Sequence, residues 1–268
     1  MRFWIILNSP EMAQFCIKNG VDRIFLDLEK LGKNERQGHL NTWKSDHKKT
    51  DISKLKKKLP KGKLIVRLNP WNKNSTSEIN YAIKNGADFL MLPMIKNFDQ
   101  IDSFCNEVSS QVNIIPLIET PESLDLIPKI IKLPGVKEIY IGLNDLSLSL
   151  GNKFIFEPLM NNLLERPANI LNSEDIPWGF GGIARYGEGL IPAELIMGEH
   201  VRLGSRRLIL SRTFHRNAIN LDNLILSMDF SGETEKLINC EKEWFQASKT
   251  ELEENKNKIK SIITKLKT

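Results

Sequence analysis

Residues 113–145 read NIIPLIETPESLDLIPKIIKLPGVKEIYIGLND, and the order of apolar runs in this stretch decides the architecture. Asn113–Ile118 is almost continuously apolar. Thr120-Pro121 then opens an amphipathic segment that runs to Lys132, Gly135 ends it, and a second short apolar run follows over Glu138–Ile141. A strand with no polar side is one covered on both faces, and a helix between two such strands is the crossover of a parallel sheet. Outward in both directions the same unit repeats. The other candidate strands are Phe3–Leu7, Arg23–Leu28, Lys63–Leu68, Phe89–Leu92, Trp178–Gly181 and Arg207–Leu210. Amphipathic stretches such as Pro10–Asn19, Ser75–Asn85, Asp99–Ser109 and Pro192–Val201 lie between them. Eight β-α units in one chain predict a (β/α)8 TIM barrel, and the glycine pattern of a dinucleotide-binding open sheet is absent after the first strand.

The barrel is expected to occupy residues 1–216, with a C-terminal helical extension over 217–268. That extension reads as a short helix, Asn220–Met228, and then one charged helix from about Glu233 to Lys265, packed across the barrel or onto a neighbouring subunit. The connection from Lys33 to Pro60 is longer than an ordinary crossover and is expected to be partly irregular. The 268 residues, 41% hydrophobic and 26% charged, suit one domain with a substantial core. The net charge of +5 comes from scattered lysines with one denser block, Lys54–Lys58. No aromatic residues interleave with it, so no nucleic-acid partner is expected. No window is apolar over the length of a membrane span. The apolar N-terminus is short and has no small-residue cleavage site, so a cytoplasmic location is expected. Cys16, Cys105 and Cys240 lack paired spacing and read as free thiols.

In a parallel barrel the functional side chains stand at the C-terminal ends of the strands. Strand two ends in Asp27-Leu28-Glu29 and strand three in Arg67. Strand five ends in Glu119, strand six runs into Asn144-Asp145, and strand seven ends in Gly181-Gly182-Ile183-Ala184-Arg185. Carboxylates crowded on one rim repel unless a cation or a shared proton joins them. Magnesium and manganese are held by one or two carboxylates plus waters and substrate oxygens, which suits Glu119 and Asp145; capping of the following helices is the competing role. Arg67 could grip a carboxylate or enolate by two points, or pair internally with Asp27 or Glu29. The backbone around Gly181, Gly182 and Ala184 could approach an anionic substrate closely, or mark only a tight strand exit.

Five segments in order carry a resemblance: Phe25-Leu26-Asp27-Leu28-Glu29, Val66-Arg67-Leu68-Asn69-Pro70, Gly86-Ala87-Asp88 through Leu92-Pro93-Met94, Pro116-Leu117-Ile118-Glu119-Thr120, and Ile141-Gly142-Leu143-Asn144-Asp145-Leu146-Ser147 with Gly151 beyond. Over residues 1–216 the chain resembles the HpcH/HpaI aldolase and citrate lyase β-subunit family, its 2-oxo acid aldolase branch more than its acyl-CoA lyase branch. The resemblance implies a divalent metal, Mg2+ or Mn2+, and a homo-oligomer. It implies reversible aldol cleavage that releases pyruvate or a related 2-oxo acid from an aldehyde partner. It also implies metal ligands at Glu119 and Asp145 and an enolate-holding arginine at Arg67.

One departure stands out. The branch carries a histidine directly after Asp-x-Glu, acting with the aspartate in proton transfer, and this chain has Lys30 there. The acid expected before the Gly-Ala of strand four is replaced near Lys84. With Asp27, Lys30 is therefore the candidate proton-transfer residue, provided burial depresses its pKa; otherwise it is solvated or paired with Glu29. His47 and His215 are the candidate substitutes among the histidines. Alternatives to the aldolase reading are a citrate-lyase-like acyl-CoA lyase using Lys54–Lys63 for the CoA phosphates, and a non-catalytic barrel that binds metal and oxo acid.

Overall fold

The computed structural model describes residues 1–33 and 46–267. Its strands are β1 (Arg2–Ile6), β2 (Arg23–Asp27), β3 (Leu64–Arg67), β4 (Phe89–Leu92), β5 (Asn113–Ile118), β6 (Ile139–Ile141), β7 (Trp178–Ile183) and β8 (Arg207–Leu210). All pair in parallel and in chain order, and β8 closes on β1. The eight-unit (β/α)8 barrel expected from the apolar runs is therefore the observed fold.

Side chains of a strand alternate between its two faces, and in this closed sheet the inward set forms three levels. At the N-terminal end are Arg23, Glu138 and Arg207. The Glu138 carboxylate takes both ends of the Arg23 guanidinium at 2.8 and 2.9 Å and Arg207 Nε at 2.6 Å. The middle is filled by Trp4, Phe25, Ile65, Leu117 and Tyr140. Two residues further along the same ladders come Asp27, Arg67, Glu119 and Gly142, at the C-terminal mouth. Period-two alternation thus fixes which polar residues face the opening. Asp27 and Arg67 are direct register partners on neighbouring strands.

Between β7 and β8 the register shifts from Gly179 to Gly182. A Cβ on Gly179 would lie 2.0 Å from the Arg207 carbonyl oxygen, and Gly181 has φ +57°, so both positions require glycine. The backbone groups that the shift leaves over are taken up by Tyr140, whose hydroxyl donates to the Gly181 carbonyl at 2.6 Å and accepts from Ile209 N–H at 3.0 Å. The bulge also carries β7 to Ile183, two residues beyond the run read from the sequence.

Outside the barrel the described helices are α1 (Pro10–Lys18), α2 (Asp51–Lys56), α3 (Ser75–Lys84), α4 (Phe98–Val108), α5 (Pro121–Ile130), α6 (Leu143–Ser149), α7 (Glu157–Met160), α8 (Glu165–Ser173), α9 (Ala193–Leu203), α10 (Leu221–Ser227), α11 (Phe230–Gln246) and α12 (Lys249–Lys267). Of the long connection after β2, residues 34–45, with His39, lie outside the described residues. The charged tail is two helices where the periodicity predicts one. The chain is extended at Ala247, and Ser248 and Glu251 cap each other, Ser248 N–H to Glu251 at 2.7 Å and Glu251 N–H to the Ser248 hydroxyl at 3.2 Å. This reciprocal cap starts a new helix.

The tail folds back on α9 of its own chain. Trp244 Nε1 donates to the Glu194 carbonyl at 2.8 Å, and Asn255 Nδ2 to the Leu195 carbonyl at 2.9 Å. Gly198 admits both side chains, since a Cβ there would meet each at 2.7 Å. Among the described residues, no helix is long and apolar enough to cross a membrane.

Candidate functional site

A cavity of about 250 Å³ opens at the C-terminal mouth, and Asp27, Arg67, Glu119, Asp145 and Gly181 all line it. Asp27 is the most heavily paired of these acids. Arg67 grips its carboxylate through Nε and Nη2 at 2.9 and 2.8 Å, and Lys33 Nζ reaches the same group at 2.8 Å. Glu29 lies behind, 3.4 Å from Arg67 Nη2. Burial alone would raise the Asp27 carboxyl, but Arg67 and Lys33 outweigh it and hold it well below the usual carboxylate range. The internal pairing weighed for Arg67 is therefore real. It also fixes the guanidinium at the cavity wall.

Glu119 is buried at the end of β5. Its Oε1 accepts from Met94 N–H at 2.9 Å, a group turned inward because Met94 adopts φ +52°. The cap of α5 is Thr120, in reciprocal hydrogen bonds with Ser123, so Glu119 does not cap that helix. Its other oxygen sits over Gly142, where a Cβ would approach within 2.8 Å; glycine at 142 makes the space for the carboxylate. Burial first, and then the Asp145 and Glu29 charges, push the Glu119 carboxyl up to about 8. Two buried acids facing each other ask for a proton or a cation.

This carboxyl gives a pH signature to metal-free protein. A carboxyl whose folded pKa is raised adds stability that is complete below the unfolded value of 4.5 and is lost as pH rises through about 8. Buried His47, His200 and His215 are pushed by burial below their ordinary 6.5, to about 4, 3 and 4. Their contribution therefore grows with pH up to 6.5 and is constant above it. Between pH 6.5 and 8, urea denaturation in chelator should show stability falling by about 1–2 kcal/mol, and Glu119→Gln should flatten the fall. A flat wild-type profile would show that Glu119 is already ionised.

The structure does not bring Lys30 into this group. Lys30 is exposed and lines a different cavity, outside the barrel, while its backbone N–H donates to Asn69 at 2.8 Å. The chain reverses at Gly32, φ +71°, and Lys33 is the lysine that turns inward. Gly182 and Ala184 are not in the cavity wall. Arg185 is withdrawn to Glu188 and the Thr213 and Phe214 carbonyls. His47 Nδ1 accepts from Asp27 N–H at 3.0 Å, and His200 stacks on Phe180 at 3.8 Å. Arg212, just past β8, lines the cavity and was given no role from the sequence. It stands two residues past the end of β8, one step outside the inward alternation that carries Glu119 one residue past β5. In the basic block, Lys54 pairs with Asp51 and Lys56 with Asp88.

Among the described residues, no group of three or more histidine, cysteine or acidic side chains could ligate a metal ion by itself. Glu119 and Asp145 offer two hard oxygen ligands beside an open cavity. That donor set fits Mg2+ or Mn2+ completed by water and substrate oxygens, and would not fit a closed structural zinc site.

Solved structures of similar fold include an HpcH/HpaI aldolase from Desulfitobacterium hafniense DCB-2, with a TM-score of 0.60 and 15% identity over 78% of this chain and 85% of that one. An HpcH/HpaI aldolase/citrate lyase family protein from Burkholderia cenocepacia J2315 gives 0.60 and 16% over 89% and 93%. RipC from Yersinia pestis gives 0.56 and 15% over 94% and 98%. At these identities the likeness speaks for the fold alone. No curated protein matches the sequence. The family model for HpcH/HpaI aldolase/citrate lyase matches residues 1–154, a shorter span than the resemblance read over 1–216 but more than half of the chain, and it includes Asp27, Arg67, Glu119 and Asp145. The chain thus belongs to the HpcH/HpaI aldolase/citrate lyase family.

Proposed function

We propose that this protein makes or breaks a carbon–carbon bond beside a 2-oxo acid, through a pyruvate-type enolate. The observation that carries the reading is the convergence of two facing carboxylates, Glu119 and Asp145, with an oriented guanidinium, Arg67, on one cavity at the barrel mouth. Mg2+ or Mn2+ held by Glu119 and Asp145 would act as a Lewis acid on the oxo acid. Arg67, steadied by Asp27, supplies positive charge where an oxyanion develops. The lysine at this cavity is Lys33, while Lys30 lines another. The Lys33 amino group, salt-bridged to Asp27 at 2.8 Å, would deliver the proton to the enolate carbon and, in the reverse direction that exchange reads, take it from the methyl group. Gly181 keeps the opposite wall free of side chain. The acceptor is an aldehyde or a related carbonyl compound.

The test is exchange of pyruvate methyl protons with solvent deuterium, followed by NMR. Exchange should require Mg2+ or Mn2+. Lys33→Met should slow it by about 100-fold or more, the range of general acid–base contributions, while Lys30→Ala should have a much smaller effect. Folded protein that shows no metal-dependent exchange would overturn the reading. Equal losses in the two lysine variants would remove Lys33 from its role.

A further inference from the structure

The apolar wall of the cavity at the barrel mouth has one member unlike the rest. Phe25, Leu117, Tyr140 and Ile209 belong to the barrel layer beneath the mouth or pack against it, Ile6 ends β1, and Leu143 begins α6. Among the described apolar residues of that wall, Ile155 alone comes from a connection, the one between α6 and α7. A connection has no strand ladder to hold it, so its position depends on local fastenings.

Ile155 is fastened from two sides. On one side the buried Ser147 hydroxyl, on α6 and two residues from Asp145, donates to the Ile155 carbonyl at 3.0 Å. On the other stands Glu157, at the start of α7 and 2% exposed. One of its oxygens accepts from the Lys153 and Phe154 N–H groups, both at 2.8 Å. The other accepts from Lys267 Nζ at 2.6 Å. Lys267 ends α12, whose Ile259 and Ile263 are buried and whose Thr264 hydroxyl reaches Met160 Sδ of α7 at 4.0 Å. The tail therefore carries the cation to this carboxylate. A buried carboxylate that loses its counter-charge is driven toward water, and here that movement would release the two N–H groups just before Ile155. Glu157 and Lys267 both lie beyond the residues matched by the family model.

We infer that Ile155 limits the size of the 2-oxo acid that the cavity admits, and that Glu157 and Lys267 are positioning residues that hold it in place. The inference rests on the function proposed above. Ile155 shares a cavity of about 250 Å³ with Asp145 and Gly181. In so small a space the methylene groups of a ligand compete directly with the side chains of the wall. The connection sets where Ile155 stands, and the tail sets where the connection stands.

Competition between pyruvate and 2-oxopentanoate tests this. Both acids are placed in one deuterated solution with Mg2+ and the whole chain, and loss of the protons beside each oxo group is followed by NMR. The ratio of the two rates does not depend on how much protein is folded, so a merely structural loss leaves it unchanged. Ile155→Ala should move the ratio toward 2-oxopentanoate by about tenfold or more, the usual discrimination for a methylene in an apolar pocket. Glu157→Gln and Lys267→Met should move it the same way by about threefold, a typical effect of one charged contact. Lys267→Arg, which keeps the cation, should stay near the wild-type ratio. An unchanged ratio in Ile155→Ala would overturn the size limit. An unchanged ratio in Lys267→Met, or a shift as large in Lys267→Arg, would overturn the positioning role. No Mg2+-dependent exchange of either acid by the wild-type protein would instead overturn the function proposed above.

Discussion

Asp145→Ala is expected to cut metal-dependent pyruvate exchange by at least about 100-fold and to remove tight Mn2+ binding, with little loss of stability in the metal-free protein. The first half follows from the ligand count. If the two carboxylates are the protein's share of the ligands, deleting one takes half of that share, and even changes to residues that only hydrogen-bond metal ligands cost about 10–100-fold. The second half follows from electrostatics. After burial, the Asp145 charge is the largest influence holding the Glu119 carboxyl high, so its removal relieves a repulsion. The fall in stability between pH 6.5 and 8 should become shallower in the variant, because Glu119 then ionises more readily. Calorimetric Mn2+ titration, the exchange rate and the urea profile together separate a lost ligand from a damaged fold. Unchanged Mn2+ affinity in Asp145→Ala would remove that residue from the metal site.

That pattern, function lost while stability is spared, is what a site built from like charges should show. Residues selected for a reaction are held in arrangements that the bare fold would not choose.

How far the site could be read from the chain depends on where each residue lies relative to its strand. Asp27, Arg67 and Glu119 continue the inward ladders of Phe25, Ile65 and Leu117. Once the parallel strands were recognised, period-two alternation placed these residues at the mouth. Arg212 lies one step outside that ladder, two residues past Leu210, and a bare arginine among Ser211, Thr213 and His215 drew no attention without its neighbours. Lys30 and Lys33 show the limit more sharply. Strand periodicity ends at Asp27, and which lysine turns inward is decided by the reversal at Gly32, a loop property with no repeat to read. Gly142 belongs to the Ile141–Ser147 motif, yet its need to be glycine arises from Glu119, which follows the adjacent strand, a tertiary contact. The break in the tail is hidden for a different reason. Ser248-Lys249-Thr250-Glu251 is a capping sequence, but the apolar positions keep helical spacing across it and conceal the break.

At the opposite end of the barrel the prediction reverses: Glu138→Gln should destabilise the protein by about 3–5 kcal/mol while leaving the metal and exchange properties of the folded fraction intact. Glu138 is the anion between Arg23 and Arg207, all three at most 8% exposed. Burial would raise its carboxyl, and the two arginines hold it down. Arg23 also lies over the Phe89 ring at 3.9 Å, so it cannot swing to solvent without emptying the barrel floor. Glutamine keeps the shape but leaves two buried cations facing each other with no counter-charge, a far larger penalty than the loss of one neutral hydrogen bond. For a chain of this size the midpoint should fall by roughly 10 °C. The double variant Arg23→Met/Glu138→Gln removes one of the stranded cations, so its loss should be smaller than the sum of the two single losses by about 1–3 kcal/mol. Additive single losses, or a Glu138→Gln midpoint within about a degree of wild type, would mean that water already reaches these guanidinium groups and the floor of the barrel is open. With the floor closed by this triad, Glu119 and Asp145 at the mouth can serve a ligand, while Asp27 stays bound in its ion pair with Arg67 and Lys33.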